Sequence, residues 1–584
     1  MQLILTLFYI TYSLAYEPPA PVVHTSLGNI RGYHTFSLEG RRFSAFEGIP
    51  YAQPPIGHLR FEAPRSALPW NRTLEAHNLF VCSQFQNMAF EAVDAENVFD
   101  RKKDQEDCLY LNVYVPKEQP SENDNYDVVV NIHGGAFMNG DPNLVTPGII
   151  MDRDFIYINL NYRLGILGFL STEDTVVPGN NGLKDQQLAL RWVHTHIKHF
   201  GGNPNAITLM GGSAGGASVH FHYFSPKSRG LFHRGISQSG SVLLPWAIQV
   251  GALKKAQKLA GLLNCKNSNT RDMVYCLKQI PVHELISKLT HFYHSTMYPL
   301  APFAPVVEVE SDSSFITKHP YQQLLNGDVY DVPWLTWRAA DEGIFLGVLI
   351  PPGPHDEIEK NWDEWSPFMF NYDYTVAESQ KKAVARKIKS FYMKNEKLSH
   401  NNIRKFIKLM GDRYFNVGYE RAITMQANLG KSPVYAGIYN FNKTHGLAKA
   451  FGVDIEGVTH GDESFLLHHQ VPVKDIKLSK PEKDMKNMLL DILASYAKHG
   501  KPEAPGISWE PVTPGKFNYL FMCDAHDSKM VENPDVDAQE FWESLDIKEY
   551  GPTFSPKKKS GANSYYLNLN LPLVTLCLFV MMFQ

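Results

Sequence analysis

"ITLMGGSAGGASVH", residues 207–220, is the stretch whose reading decides the fold. Ile207-Thr208-Leu209-Met210 is an apolar, β-branched run that reads as a buried strand. It stops at Gly211-Gly212. Ser213 follows, then Ala214, Gly215 and Gly216, then a run that can form a helix. Gly211 to Gly215 fits G-x-S-x-G, a turn that takes a strand straight into a helix. On such a turn the serine occupies a strained backbone position, and bulky neighbours would collide, so glycine flanks it. The turn pushes the hydroxyl off the end of the sheet. It also aims the free N–H groups of the helix N-terminus at whatever the hydroxyl attacks. The motif is short enough to arise by chance, so the strand before it and the helix after it carry the reading.

The same rhythm continues on both sides. "YDVVVNIHGG" is a strand ending in a glycine loop, and "FIYINLNYRLG" holds a second strand, Phe155 to Leu160. "LKDQQLALRWVHTHIKHFGG" has Leu183, Leu188, Leu190, Trp192 and Ile197 at roughly helical spacing and stops at Gly201. The strand Ala206 to Met210 comes next. Strand, helix, strand predicts the α/β class, with a large, mostly parallel central sheet and helices on both faces. Before residue 120 the chain reads as antiparallel strands and turns; 253–300 and 376–430 read as helix-rich insertions. With 584 residues, 44% of them hydrophobic, the chain can bury a large core. Nothing between residues 20 and 545 reads as a linker. A net charge of −4, without a large basic block, excludes a nucleic-acid footprint.

The two ends differ from the body. Leu3 to Tyr12 is apolar and leads into Ser13-Leu14-Ala15, so residues 1–15 read as a signal peptide. Asn71 and Asn442 head glycosylation sequons. The body spans 16–545. Residues 546–570 are polar and rich in Pro and Lys, a stalk and spacer, and 571–584 form an apolar tail. Thirteen helical residues at ~1.5 Å each reach about 20 Å, short of a hydrocarbon core of ~30 Å. Small residues at Ser560-Gly561-Ala562, a spacer and this tail match a GPI-attachment signal, with Ser560 or a near neighbour as the attachment residue. A short membrane anchor is the alternative. Of six cysteines, Cys82 with Cys108 and Cys265 with Cys276 are spaced to close local loops in an oxidising compartment, although other pairings are open. Cys577 belongs to the tail, which leaves Cys523 as a buried free thiol.

A hydroxyl is a weak nucleophile until a base takes its proton, and the base needs a carboxylate behind it. The chain has 23 histidines and 60 acids, so spacing alone cannot choose them. One local clue exists: His133-Gly134-Gly135-Ala136 follows a strand, and backbone N–H groups there, with that of Ala214, can bind an oxyanion. His194, His196 and His199 read as a solvated helix face rather than a metal set, and His220 and His222 as packing or surface residues.

With these residues in hand, the chain resembles the type B carboxylesterase family. The likeness runs from about residue 20 to 545. It is carried by "FEGIPYAQPPIGHLRF", "EDCLYLNVYVP", "NIHGGAF", "NYRLGILGFLS", "GNNGLKDQQLALRWV", "FGGNPNAITLMGGSAGG", "ISQSGS" and "FWESL". The resemblance implies an α/β-hydrolase fold and a triad in the order Ser, Glu, His. By position that is Ser213, Glu342 in "ADEGIFL" with Asp341 as the alternative beside it, and His460 in "GVTHGDESF". It implies oxyanion donors at Gly135, Ala136 and Ala214, a supporting hydroxyl at Ser239, an acyl-pocket wall at Trp246, and the pairs Cys82–Cys108 and Cys265–Cys276. The implied reaction is attack of Ser213 on an ester carbonyl, an acyl-enzyme, then hydrolysis, with no metal or organic cofactor.

Two features of choline recognition in the family are missing. Gly212 stands where cholinesterases carry a glutamate. The loop between Cys82 and Cys108 has Phe85, Phe90 and Phe99 but no tryptophan to cage a quaternary ammonium. The expected small-molecule partner is therefore an uncharged, lipophilic ester, with Phe137, Trp246 and the open position at Gly212 lining its pocket. A juvenile-hormone-type esterase is an alternative, although Gly216 stands where that subclass carries alanine. An adhesion ectodomain on the same scaffold is the other; such relatives lose a triad member, whereas this chain keeps all three.

Overall fold

The apolar runs assemble into one eleven-stranded sheet. A computed structural model of the chain describes residues 18–85, 104–294, 298–349, 351, 353–442, 446–450, 452–468, 477–532 and 538–550. The expected signal peptide, Phe90, Phe99, Ser560 and the apolar tail lie outside the described residues. Across the sheet the strands run Lys529–Glu532, Asn518–Met522, Val434–Tyr439, Trp334–Ala339, Arg234–Gln238, Gly202–Gly212, Tyr126–Ile132, Ile156–Leu160, Tyr110–Val115, Arg42–Pro50 and Tyr33–Phe36. Neighbours from Asn518–Met522 through Ile156–Leu160 pair in parallel, and the strands at both edges pair antiparallel. This is the α/β-hydrolase fold. The early part is less uniform than its sequence suggests: two short pairs there, Ile30 with Leu74 and Val81 with Asp104, are parallel.

Alternation along the strands divides the core between the two faces. Val128, Val130, Ile132, Ile156, Ile158 and Leu160 pack on one side with Leu183, Leu190 and Trp192 of the helix Asn181–His196. Val129, Tyr157, Met210, Ile236 and Leu335 face the other side and meet Met485, Leu489 and Leu493 of the helix Lys480–His499. Successive side chains point to opposite faces of a strand, so a strand buried on both sides must be apolar throughout. That is why central strands such as Tyr126–Ile132 and Ile156–Leu160 read as mostly apolar runs.

Both local loops are closed by disulfides, Cys82–Cys108 and Cys265–Cys276. Cys523 is free, but it is half-buried rather than buried, because it follows the strand end and hydrogen-bonds into the turn at Asp527. The ordered body also runs past residue 545. Lys548 N–H donates to Thr375 O, Glu549 pairs with Arg413 at 2.8 Å, and Tyr550 stacks on Tyr321 at 4.6 Å. Arg413 and Arg421 are buried cations that need an anion beside them; Glu549 in this segment serves Arg413, and Glu543 in the helix before it serves Arg421.

One buried ion pair ties the chain just after the strand Ile156–Leu160 to the helix Asn181–His196. Arg163 Nε and Nη2 donate to the two oxygens of Asp185 at 2.8 and 2.7 Å, and Arg163 N–H adds a third bond at 3.0 Å. Removing one partner leaves the other as an unpaired buried charge. Asp185→Ala should therefore lower stability by about 3–5 kcal/mol. Chemical denaturation of the two proteins checks this.

Candidate active site

The strand Gly202–Gly212 hands over to the helix Ala214–Phe224 with one residue between them, and that residue is Ser213. Its φ of 57° and ψ of −123° fall where side-chain-bearing residues rarely go. Two bonds hold it there: Ser213 N–H donates to Gln238 O at 2.7 Å, and Ser213 O accepts from Ala217 N–H at 2.9 Å. The close approach is possible only because of glycine. A Cβ on Gly215 would lie 2.0 Å from Ile132 O, one on Gly211 2.5 Å from the Gly215 carbonyl carbon, and one on Gly240 2.1 Å from Ser213 O. Gly212 is different. A Cβ there would meet nothing nearer than Gln238 Oε1 at 3.5 Å, an ordinary contact. Its glycine is not required by the turn; it leaves open space beside Ser213.

The loop after the strand Tyr126–Ile132 comes to the same place. A Cβ on Gly134 would lie 3.0 Å from Ser213 Cβ. Gly135 has φ 106°, and Ala136 and Phe137 have φ 54° and 62°. This tight turn is closed by Met138 N–H and Asn139 N–H on Gly135 O. Gly134, Gly135 and Ala136 are half-exposed among buried neighbours, as are Gly212 and Ser213. Ala214 opens its helix, where N–H groups have no acceptor within the helix. His133, which stacks on Tyr162 at 4.4 Å and donates to Gly134 O, steadies the loop; burial lowers its pKa to about 4, so it stays neutral.

A carboxylate and an imidazole complete the cluster. Ser239, next to Gln238, donates from Oγ to Glu342 Oε1 at 2.5 Å, and Ala339 N–H donates to the same oxygen at 2.9 Å. Glu342 Oε2 accepts from His460 Nδ1 at 2.6 Å. That bond fixes the proton on Nδ1 and leaves Nε2 as the basic nitrogen of the neutral ring. Phe345 and Phe415 flank the imidazole, with ring centres 5.2 and 4.6 Å away. Phe415 touches Trp246 at 6.2 Å, and Trp246 touches Phe137 at 6.1 Å, so an apolar wall runs from His460 to the glycine loop.

Comparisons with known proteins show the family. A model of the carboxylesterase family matches residues 19–542. The chain belongs to the carboxylesterase family. As a member of it, the protein is a carboxylic ester hydrolase. It is 38% identical to a carboxylic ester hydrolase of Bombus ignitus, over 94% of this chain and 98% of the relative. It is also 38% identical to venom carboxylesterase-6 of Apis mellifera, over 91% and 96%. Among solved structures, juvenile hormone esterase from Manduca sexta with OTFP covalently attached superposes with a TM-score of 0.80 at 25% identity, covering 90% of this chain and 99% of that one.

Other residues singled out in the sequence lie elsewhere in this carboxylesterase. His220 stacks on Trp334 at 4.0 Å and His222 meets Ser228 Oγ at 2.7 Å, both buried, with pKa values lowered to about 3. The histidines of the helix Asn181–His196 and the turn after it are less solvated than expected. His196 is buried against Trp192, and His199 pairs with Glu122. Asp341 does not compete with Glu342 for the imidazole; its carboxylate accepts from Val458 N–H at 3.2 Å. Asp462 went unnoticed in the sequence. It accepts from Thr459 N–H at 2.9 Å and Leu447 N–H at 2.8 Å, so two aspartates pin the segment that leads into His460. The only signal was the acidic pair just after His460.

Burial by itself would depress the His460 pKa. The bonded Glu342 carboxylate outweighs it, with smaller help from Glu463 and Asp462, and holds the group above the ordinary histidine value. Glu342→Gln removes the largest opposing charge. An NMR titration should therefore find His460 above about 6.5 in the native protein, and lower in the variant.

Proposed function

We propose that this carboxylesterase works through Ser213, His460 and Glu342. Ser213 Oγ attacks the ester carbonyl while His460 Nε2 takes its proton. Glu342 keeps the imidazole oriented and balances the positive charge it acquires. The N–H groups of Gly135, Ala136 and Ala214 receive the oxyanion of the tetrahedral intermediate, each such donor contributing about 10²–10³ in rate. His460 then protonates the departing alcohol, and water repeats the steps on the acyl-enzyme. The observation that carries the reading is the chain of contacts that links them: Ser213 N–H on Gln238 O, the neighbouring Ser239 Oγ on Glu342, and Glu342 on His460 Nδ1.

The substrate we infer is an uncharged, lipophilic ester. Phe137, Trp246 and Phe415, themselves buried, make an apolar cluster that runs from the glycine loop to His460, and the bare Cα of Gly212 leaves room beside the nucleophile. The family's activity without a choline cage favours this over a charged alcohol. We further infer secretion and lipid anchoring at or near Ser560, on the leader and tail of the sequence and the exposed positions of Asn71 and Asn442.

A panel of chromogenic acyl esters tests the chemistry. Ser213→Ala should lose roughly 10³-fold or more in kcat/KM on every ester that the native protein hydrolyses; equal rates would end the assignment. Proton abstraction needs neutral His460, so kcat/KM should fall as pH drops through a pKa above about 6.5. An acid limb well below that value would remove His460 as the base. For the tail, release of the protein from cells by a phosphatidylinositol-specific phospholipase is expected, and full retention would contradict it.

A further inference from the structure

A cavity of about 120 Å³ is walled in part by Trp246. Its lining contains none of Ser213, Glu342, His460 or the glycine loop; Trp246 is the one residue it shares with the wall described above. The mouth carries Val250 and Tyr374, which are 42% and 47% exposed. Leu244 and Phe368 supply apolar walls, and the docked segment at Glu549 and Tyr550 closes one end.

Lys255 lines this cavity and is itself only 7% exposed. Among the described residues its Nζ donates to two oxygens, Gln249 Oε1 at 3.1 Å and Pro302 O at 2.8 Å. Both acceptors are neutral, as is the Tyr374 ring whose centre lies 5.4 Å from Nζ, and an ammonium carries three N–H donors. A buried charge is ordinarily paired with an opposite one. The two acidic residues in the lining are already engaged: Asp373 with Lys381 at 2.7 Å, and Glu549 with Arg413 at 2.8 Å. Asp373 and, more remotely, Glu173 still act on Lys255 through space, yet burial outweighs them and lowers its pKa to about 7. His319, also in the lining, is held neutral by burial, with a pKa near 4. Lys258 adds a second cation, its Nζ bonded to His291 O at 2.6 Å.

We propose that this cavity is a binding site for a small aliphatic carboxylate, whose anionic head sits against Lys255 and whose chain lies along Leu244, Trp246 and Phe368. The carboxylate brings the countercharge that the lysine lacks. A cavity of this order holds a group about the size of benzene, so a chain of roughly four to six carbons fits. The proposal does not depend on the role given to Ser213.

Hexanoate is the probe. Calorimetric titration of the purified protein should show saturable hexanoate binding, unchanged in Ser213→Ala. Lys255→Met should weaken it at least tenfold, and 1-hexanol, which lacks the charge, should bind at least tenfold more weakly than hexanoate. Val250→Trp, at an exposed position on the mouth, should block the site with no change of charge; it carries the test should Lys255→Met fail to fold. Undiminished binding in a folded Lys255→Met or in Val250→Trp, equal binding of hexanol, loss of binding in Ser213→Ala, or no saturable binding at all would overturn the proposal.

Discussion

Ser213 sits in a backbone conformation that costs about 1–3 kcal/mol, and everything at the site depends on the packing that keeps it there. The strain persists because the strand Gly202–Gly212, the helix Ala214–Phe224 and the loop at Gly240 press together at distances where a side chain cannot stand. Gly211, Gly215 and Gly240 are the contact points. Behind them lies a sheet buried on both faces, which cannot relax without exposing core. The hydroxyl is thus lifted clear by two local backbone bonds and by the packing of the sheet behind them.

The electrostatics build on that frame. Glu342 is buried and makes three bonds, to Ser239, Ala339 N–H and His460. Two of these point its carboxylate; the third is the imidazole it serves. Asp341 and Asp462 then fix the chain just before His460, so the ring is held from the carboxylate side and from the backbone side. Precision at a reacting centre requires this kind of support, since an imidazole on a free loop would sample many orientations. Three acids therefore serve one histidine: Glu342 on the ring, and Asp341 and Asp462 on the backbone that leads into it.

The fold was legible because its central strands are apolar on both faces and its strand–helix alternation is regular. The turn at Ser213 was legible because strand, glycines and helix are contiguous in sequence. Glu342 and His460 were not readable from their surroundings: they lie 118 positions apart, and nothing local separates Asp341 from Glu342. Only the family resemblance chose between them, and the geometry gives Asp341 a backbone bond instead. The motif does not say which of its glycines are crowded; Gly211 and Gly215 are, and Gly212 is not. Asp462, the buried His196 and the docking of Glu549 depend on partners remote in the chain, and no local pattern marks them.

The central claim is that Ser213 forms a covalent bond to the acyl part of its substrate. Peptide mass spectrometry after treatment of the folded protein with an organophosphate tests it most directly. The account predicts a phosphoryl adduct on Ser213, in the peptide that contains Gly211 to Gly216. A folded protein that turns over esters, yet carries no adduct there or carries it on another residue, would contradict it.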